Sequence, residues 1–267
     1  MNRLQAAFDD ARKANRKLLC PFFTAGYPSL DTTPQLLLAA QQAGAGVIEL
    51  GIPFSDPIAD GPVIQASFTH ALAHGCTVTK ALATVAVARK LGLTIPVAAM
   101  VSFSIIFKRG TAEFAKACRD NELDAIILPD IPLEEAPAIV AVIRDTGLRS
   151  ILLVAPTSPP ERRAAIARLC DGFVYYLSVS GITGERKQLP ADIAPNIAEL
   201  RKVTTAPLCV GFGISTAAQV REVTQFADGA IVGSAIIRRI TQHISATPEE
   251  QRQGISDLIA DLATGLK

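Results

Sequence analysis

Short apolar runs alternate with amphipathic segments along nearly the whole chain. A run that is mostly apolar is typical of a parallel strand that is buried on both faces. Such runs predict eight strands, at Leu19–Ala25, Val47–Leu50, Pro96–Val101, Asp124–Leu128, Ser150–Val154, Phe173–Leu177, Leu208–Val210 and Ala230–Val232. Every predicted strand is followed by a segment with apolar residues at helical spacing, so we expect a repeated strand–helix unit.

The predicted helices begin at capping residues or prolines and mostly end at glycine or a polar residue. An extra amphipathic helix, Leu4–Leu18, precedes the first strand, and a terminal helix, Glu249–Leu262, follows the last unit. The helices inside the units are predicted at Thr33–Ala43, Val63–Ala73, Val78–Leu91, Thr111–Cys118, Leu133–Thr146, Pro159–Leu169, Asp192–Val203, Thr216–Phe226 and Ser234–Ile240.

Eight strand–helix units are the repeat of an α/β TIM (β/α)8 barrel, and no linker interrupts them, so we expect residues 1–267 to form a single domain. A doubly wound open sheet is the alternative. It gives no reason for the count to stop at eight, and no G-x-G-x-x-G follows the first strand. In a barrel the carboxyl ends of all strands surround one mouth, where functional residues should lie.

Composition removes several classes of function. The chain has 267 residues, 49% of them hydrophobic and 19% charged, which is enough apolar material for a large core. A net charge of +1, the absence of Trp and the lack of a basic run argue against nucleic acid binding. The N-terminal segment has no apolar signal-peptide core, so we expect a cytoplasmic protein.

Two further patterns favour structural interpretations. The most apolar window, Leu91–Phe107, contains Gly, Pro and Ser, so a helix end and a buried strand are favoured over a membrane span. The five cysteines are scattered and odd in number, which indicates reduced, buried side chains and supports neither a disulfide framework nor a zinc site.

The clearest candidate for chemistry is Glu49, a carboxylate inside an apolar strand. Burial would raise its pKa toward values that suit proton transfer. The proline- and glycine-rich loop that follows adds Asp56 and Asp60, whose different surroundings could separate the pKa values of the acidic groups. The structural alternatives are turn capping for the two aspartates and a buried cationic partner for Glu49, but no cation is evident at a nearby strand end.

Glycine turns follow the seventh and eighth strands, at Gly211–Ser215 and Gly229–Ser234. Glycine lets backbone N–H groups approach a ligand, and a helix N-terminus favours an anion. Either turn alone is more simply a tight connection. Because TIM barrels often bind phosphate after these two strands, the pair favours a phosphate site.

Other polar clusters favour bland interpretations. The small residues of 178–190 suit a closing lid, or an ordinary flexible loop. His70 and His74 share a helix face but lack a third ligand, so we expect a solvated face and no metal. Asp130 and the pair Glu134 and Glu135 lie beside prolines and should shape a loop and cap the next helix.

The stretch ELGIPFSDPIADGP, from Glu49 to Pro62, resembles the signature of the tryptophan synthase alpha subunit family, which cleaves indole-3-glycerol phosphate to indole and glyceraldehyde 3-phosphate by a retro-aldol step. Further matching segments follow in the family's order at Pro21–Gly26, Asp130–Glu135, Ser180–Gly184, Gly211–Ser215 and Gly233–Ile236. Two segments depart from the family. Val179 replaces an Arg, and Ser102-Phe103-Ser104 replaces a Tyr-x-Asn pattern near the substrate.

The resemblance implies that Glu49 and Asp60 are the two catalytic carboxylates and that Asp56 lies on a mobile loop facing a partner. It implies substrate contacts at Phe22, Tyr175, Thr183, Gly184, Phe212, Gly213, Gly233 and Ser234.

The resemblance also implies a beta subunit as partner in an α2β2 heterotetramer, with the pyridoxal phosphate in that beta partner. No metal or organic cofactor is expected in this chain. Two alternatives stay open: another phosphate-binding barrel, such as a sugar-phosphate isomerase or synthase, and a non-catalytic barrel that activates a beta subunit.

Overall fold

The computed structural model describes residues 2–58, 60–178, 190, 192–211 and 213–266. Eight parallel strands pair in sequence order and close into a barrel. Their bounds are β1 Leu18–Thr24, β2 Ile48–Gly51, β3 Val97–Met100, β4 Ala125–Leu128, β5 Arg149–Val154, β6 Val174–Leu177, β7 Leu208–Gly211 and β8 Gly229–Val232. The predicted TIM barrel is confirmed, and each predicted strand overlaps an observed one.

Closure of the barrel is made by the first and last strands, with Leu18 opposite Gly229 and Pro21 opposite Val232. The strands are short and almost wholly buried because side chains of one face fill the barrel and those of the other face pack against the helices. This two-sided burial explains why their sequences are apolar runs without alternation.

The helices form the outer layer. Their bounds are α1 Arg3–Lys13, α2 Thr33–Gln42, α3 Pro62–Ala73, α4 Val78–Lys90, α5 Phe103–Arg109, α6 Thr111–Asp120, α7 Ala136–Asp145, α8 Pro160–Leu169, α9 Ile193–Arg201, α10 Ala217–Thr224, α11 Ser234–Gln242 and α12 Pro248–Ala263, followed by a 3-10 turn Thr264–Leu266.

Helix α1 closes the bottom of the barrel. Its Leu4 and Phe8 belong to the same buried cluster as the side chains inside the barrel, and the Phe8 ring lies 5.8 Å from that of Phe173. The helix is shorter than predicted: it ends at Lys13 because Asn15 takes a left-handed φ of 50°, after which the chain turns toward β1. Functional residues are therefore expected at the opposite end of the barrel, the mouth formed by the carboxyl ends of the strands.

The helix predictions differ from the structure in the third unit and in the fourth. Helix α5 was not predicted, although Ser102 caps its first turn by accepting from the Ser104 N–H, and Gly110 ends it with φ 90°. The segment 91–107 therefore contains a helix end, strand β3 and most of this short helix. In the fourth unit, α7 begins at Ala136, three residues after the predicted start at Leu133.

All five cysteines are free and buried, as expected. The histidine pair differs from the expected solvated face: His70 is half-buried, packs edge-on against Tyr27 and places Nε2 3.0 Å from the Pro28 carbonyl oxygen. Only His74 is exposed. Among the described residues no single helix is long and apolar enough to cross a membrane; α3 and α4 together meet the length and composition test but are bent by 97°.

Candidate active site

Glu49 lies in the middle of β2 with its side chain inside the barrel, between Phe22 of β1 and Ala98 of β3 in the sheet register. It is 3% exposed, and its Oε1 has no hydrogen-bond partner within the described part of the chain. Burial is the larger cause, and the nearby charge of Asp60 the smaller one, of a rise in the pKa of Glu49 to about 8. The residue is therefore a neutral carboxylic acid at neutral pH and can donate a proton.

Asp60 lies in the loop between β2 and α3. The Gln65 side-chain amide holds this loop, because its Nε2 donates to the carbonyl oxygens of Asp60 at 2.7 Å and Pro57 at 3.3 Å. The pKa of Asp60 is raised to about 6, mainly by burial and to a smaller extent by the charge of Asp130. At neutral pH Asp60 is thus mostly ionised, whereas Glu49 is mostly protonated, and the two carboxyl groups can take different roles.

Asp56 lies four residues earlier but differs in setting. It is exposed, and its carboxylate accepts a hydrogen bond from the neighbouring Ser55 hydroxyl. Of the two loop aspartates, Asp60 is therefore the one whose charge reaches the barrel interior, where it raises the pKa of Glu49.

Two aromatic side chains cross the mouth beside Glu49. Tyr175 is 5% exposed, and burial together with Glu49 and Asp60 raises its pKa well above the usual value. A Cβ on Gly211 would lie 2.5 Å from the Tyr175 hydroxyl oxygen, and one on Gly51 would lie 2.4 Å from Phe22. Only glycine fits at these strand ends, so Gly51 and Gly211 give the aromatic rings their positions.

In the sequence, Gly51 and Gly211 have the pattern of ordinary turn residues. A glycine at the end of an apolar strand was the signal for close approach of another side chain. What approaches it is visible only in the folded chain.

The two glycine turns differ in what they offer an anion. Gly233 precedes α11, and Ser234 is the first residue of that helix, so unsatisfied N–H groups face the mouth. In the other turn Gly213 takes a left-handed φ of 81°. Serine does not begin the helix that follows this turn: α10 begins at Ala217 with Thr216 as its cap, and the Ser215 N–H donates to the Gln219 side-chain oxygen at 2.8 Å.

A smaller chamber extends from Asp60 toward β3 and β4. Its cavity volume is about 20 Å³, and it lies between Phe54, Phe68, Met100, Ser102 and Asp130. Asp130 does not cap the next helix as predicted. Its two carboxylate oxygens accept from the Ser102 hydroxyl and the Phe103 N–H, both at 2.7 Å, so it caps α5 of the preceding unit.

The remaining predicted site residues, Thr183, Gly184 and Phe212, lie outside the described residues, as does nearly all of the predicted lid 178–190. Glu49, Asp60, Phe22, Tyr175, Gly213, Gly233 and Ser234 lie at the end of the barrel that the carboxyl ends of the strands form. No group of three or more His, Cys, Asp or Glu side chains that could hold a metal is present in the part of the chain that the structure describes.

A closed eight-stranded parallel barrel with two carboxyl groups of separated pKa and a helix N-terminus at the same mouth defines the class as a TIM-barrel enzyme suited to acid–base chemistry. The comparisons with known proteins identify the family. The sequence profile described as tryptophan synthase alpha chain matches residues 8–264. The chain belongs to the tryptophan synthase alpha chain family, lyases that cleave indole-3-glycerol phosphate in tryptophan biosynthesis.

Individual relatives agree with this assignment. The tryptophan synthase alpha chain of Rhodopirellula baltica is 42% identical over 91% of this chain and 88% of its own. That of Synechocystis is 40% identical over 100% of both chains. Among solved structures, the tryptophan synthase alpha subunit of Legionella pneumophila has a TM-score of 0.89 and 34% identity, covering 100% of this chain and 98% of its own.

A chain of the aminoacrylate-bound tryptophan synthase of M. tuberculosis has a TM-score of 0.87 and 30% identity, with 100% of both chains covered. The fold of this protein is therefore that of its family along its whole length.

Proposed function

We propose that Glu49 and Asp60 carry out the retro-aldol cleavage of indole-3-glycerol phosphate in this chain. The bond to be broken joins C3 of the indole ring to the glycerol side chain. Cleavage requires protonation of the ring at C3 and removal of the proton from the adjacent glycerol hydroxyl. The products are indole and glyceraldehyde 3-phosphate.

Glu49 is suited to both proton transfers. With a pKa of about 8 it is protonated at neutral pH and delivers its proton to C3. The resulting carboxylate is buried without a hydrogen-bond partner for Oε1 among the described residues, so it is a stronger base toward the glycerol hydroxyl than an ordinary carboxylate. The pairing of this buried neutral acid with a nearby ionised Asp60 is the observation that carries the proposal.

Asp60 stabilises charge. Protonation at C3 leaves positive charge on the ring nitrogen, and an ionised carboxylate that accepts the ring N–H hydrogen bond stabilises that charge. A pKa of about 6 keeps Asp60 ionised at neutral pH. Phe22 and Tyr175, which line the mouth beside Glu49, supply apolar and aromatic contacts for the ring.

The phosphate group is assigned to the turn at Gly213 and the N-terminus of α11, with Gly233 and Ser234; Gly184, Thr183 and Phe212 are further assigned contacts that lie outside the described residues. The chemistry requires no metal or organic cofactor in this chain. Pyridoxal phosphate, by resemblance, belongs to a beta partner.

A direct turnover assay tests the assignment. The purified chain is given indole-3-glycerol phosphate, indole release is followed, and glycerol phosphate or inorganic phosphate is added as competitor. We expect slow release of indole and competitive inhibition by both anions. A chain that releases no indole, alone or with a beta subunit, would be the non-catalytic barrel.

The partner assigned here is a tryptophan synthase beta subunit in an α2β2 assembly. Support comes from apolar side chains left in water at the mouth: Ile58 is 84% exposed and Phe107 is 78% exposed, with the exposed Asp56 nearby in the same loop as Ile58. Because that loop also carries Asp60, docking there can align the carboxylate, and a coupling of about 1–3 kcal/mol would give roughly 5–150-fold activation.

Mixing with a beta subunit tests this partnership. We expect a complex by light scattering and faster indole release. Asp56→Ala should weaken the activation and leave the basal rate nearly intact, whereas Asp60→Ala should abolish both. Equal behaviour of the two variants would remove the separate roles. The cytoplasmic location stays a prediction.

A further inference from the structure

Among the residues that the structure describes, the chamber beside Asp60 is lined by three carboxylates and by no cation. Asp56, Asp60 and Asp130 contribute the acids, and its other walls are Ser102, Pro129 and apolar side chains. Like charges in one chamber repel, so the arrangement needs a reason. Asp56 and Asp60 belong to the loop after β2, whereas Asp130 is brought in from the loop after β4.

Asp130 is held firmly in this place. The Ser102 hydroxyl and the Phe103 N–H donate to its two oxygens, each at 2.7 Å, and such charge-assisted bonds fix the carboxylate in one orientation. Ser102 in turn accepts from the Ser104 N–H at 3.3 Å and belongs to the first turn of α5. The third and fourth loops of the barrel are thus joined through a negative charge that faces Asp60.

We propose that Asp130 is a positioning residue for the lyase reaction: tethered by Ser102 and the N-terminus of α5, it places a fixed negative charge across the chamber from Asp60 and makes Asp60 a stronger acceptor for the ring N–H. The same charge adds to the stabilisation of positive charge on the ring. The kinetic part of this proposal rests on the proposed function, whereas the charge coupling between the two aspartates does not.

Other charged groups around Asp60 can be named. Glu49 of β2 and Tyr175 of β6 face it from inside the barrel, and Asp56 lies on its own loop. The part of β3, α5 and α3 that lines the chamber contributes no titratable side chain, and the charged residues of 179–189 lie outside the described part of the chain. Burial is the main cause of the raised pKa of Asp60, and the charge of Asp130 is the second cause.

The direct test measures the titration of the Asp60 carboxyl carbon by NMR in the intact chain and in Asp130→Asn. Asparagine keeps the shape and an oxygen acceptor for the cap but removes the charge. Because Asp130 is exposed and water screens it, we expect the Asp60 midpoint to fall by about half a pH unit. Glu134→Gln is the matched control, since Glu134 lies nearby in sequence but pairs with Arg162 at 3.1 Å; it should leave the midpoint unchanged.

The kinetic test follows kcat/KM against pH. In Asp130→Asn the acid limb should move to lower pH by a similar amount, while the plateau at about pH 7, between the pKa values of Asp60 and Glu49, should fall up to about fivefold, the size of an exposed charge interaction. A purely structural role would lower the plateau without moving the limb. Ser102→Ala retains the charge and loosens its tether, so its limb should stay close to that of the parent chain.

The outcomes are separable. An Asp60 midpoint that stays in place or rises in Asp130→Asn, in a variant whose amide spectrum shows an intact fold, overturns the proposal even if the lyase is active. An equal shift in Glu134→Gln also overturns it. If Asp130→Asn loses the fold, Asp130→Ser keeps a capping oxygen without the charge and gives the same two readings. A lowered midpoint in a chain without lyase activity would sustain the coupling and remove the proposed function.

Discussion

Two buried carboxylates at opposite ends of the barrel differ in how the protein treats them. At the bottom, Asp124 is 3% exposed and fully partnered: Arg89 donates at 2.8 Å, Arg3 at 3.1 Å and the Val97 N–H at 2.9 Å. At the mouth, Glu49 is equally buried, yet one of its oxygens has no partner among the described residues. Equal burial therefore accompanies opposite surroundings: ion pairs around Asp124, and no described partner for one oxygen of Glu49.

The difference lies in whether cations reach the carboxylate. Arg89 is itself buried, and it also donates to the carbonyl oxygens of Leu93 and Ile95, which fixes it below Asp124. Such a network stabilises the chain at the face where TIM barrels carry stability. Glu49, lacking a described cation, keeps its proton to about pH 8 and is available for chemistry. A buried carboxylate that is paired with cations stabilises the fold, whereas a buried carboxylate without such partners is available for catalysis.

The largest expected effect concerns Glu49, the carboxylate at the mouth. Glu49→Gln keeps the shape of the side chain and removes the proton that is transferred, so turnover should fall by about two to four orders of magnitude with the fold retained. Steady-state indole release and circular dichroism measure the two quantities. A variant that remains fully active would exclude Glu49 from proton transfer.

The next largest effect concerns Asp124, the paired carboxylate at the bottom of the barrel. Asp124→Ala leaves buried Arg89 without its carboxylate, and the loss of one partner of a buried pair costs about 3–5 kcal/mol of unfolding free energy. Urea denaturation measures it. The exposed pair of Asp10 and Lys13 on α1 is the matched control, and Asp10→Ala should cost less than about 1 kcal/mol. Activity per folded molecule should change little in either variant.

A smaller effect sharpens the comparison through pH. Folding raises the pKa of Glu49 from 4.5 to about 8, so the folded chain holds a proton that the unfolded chain releases between these values. The favourable contribution is complete below pH 4.5 and is lost as pH rises to 8. Glu49→Gln has no such loss, so its stability relative to the parent chain should grow across this window, by no more than about 4 kcal/mol.

Urea midpoints at several pH values between those limits provide the measurement. If the difference between the two chains stays flat with pH, Glu49 is not protonated in the folded protein and the contrast with Asp124 disappears.

The smallest effect compares glycines at the two ends. Gly213 at the mouth and Gly147 at the bottom have similar left-handed φ angles, 81° and 85°. Alanine at either position should cost about 1–2 kcal/mol of backbone strain. Only Gly213→Ala should also raise the Michaelis constant for indole-3-glycerol phosphate, because only that turn is assigned to phosphate. A matching change in Gly147→Ala would show that the Michaelis constant reports general destabilisation.

Much of the fold was predictable because it depends on local pattern. The eight strands are recognisable since burial on both faces leaves few polar residues in them. Glu49 was recognisable for the same reason: a carboxylate in such a strand contradicts its surroundings. Short helix α5 was missed, because its seven residues are too few to show a helical period and its cap depends partly on Asp130, 28 positions away from Ser102.

The sequence by itself thus determined the repeat and the barrel, and it singled out Glu49 and the acidic loop after β2 as candidates for chemistry. The tertiary structure decided which charges meet. In the sequence, Asp124 is simply the first residue of a predicted strand. The closed barrel brings it into contact with Arg3, 121 positions away, and with Arg89, 35 positions away. Asp130 likewise became a neighbour of Asp60 only when the third and fourth loops met. The pKa of a carboxyl group depends on charges and water within a few ångströms in space, and those distances are fixed by the closed barrel rather than by spacing along the chain.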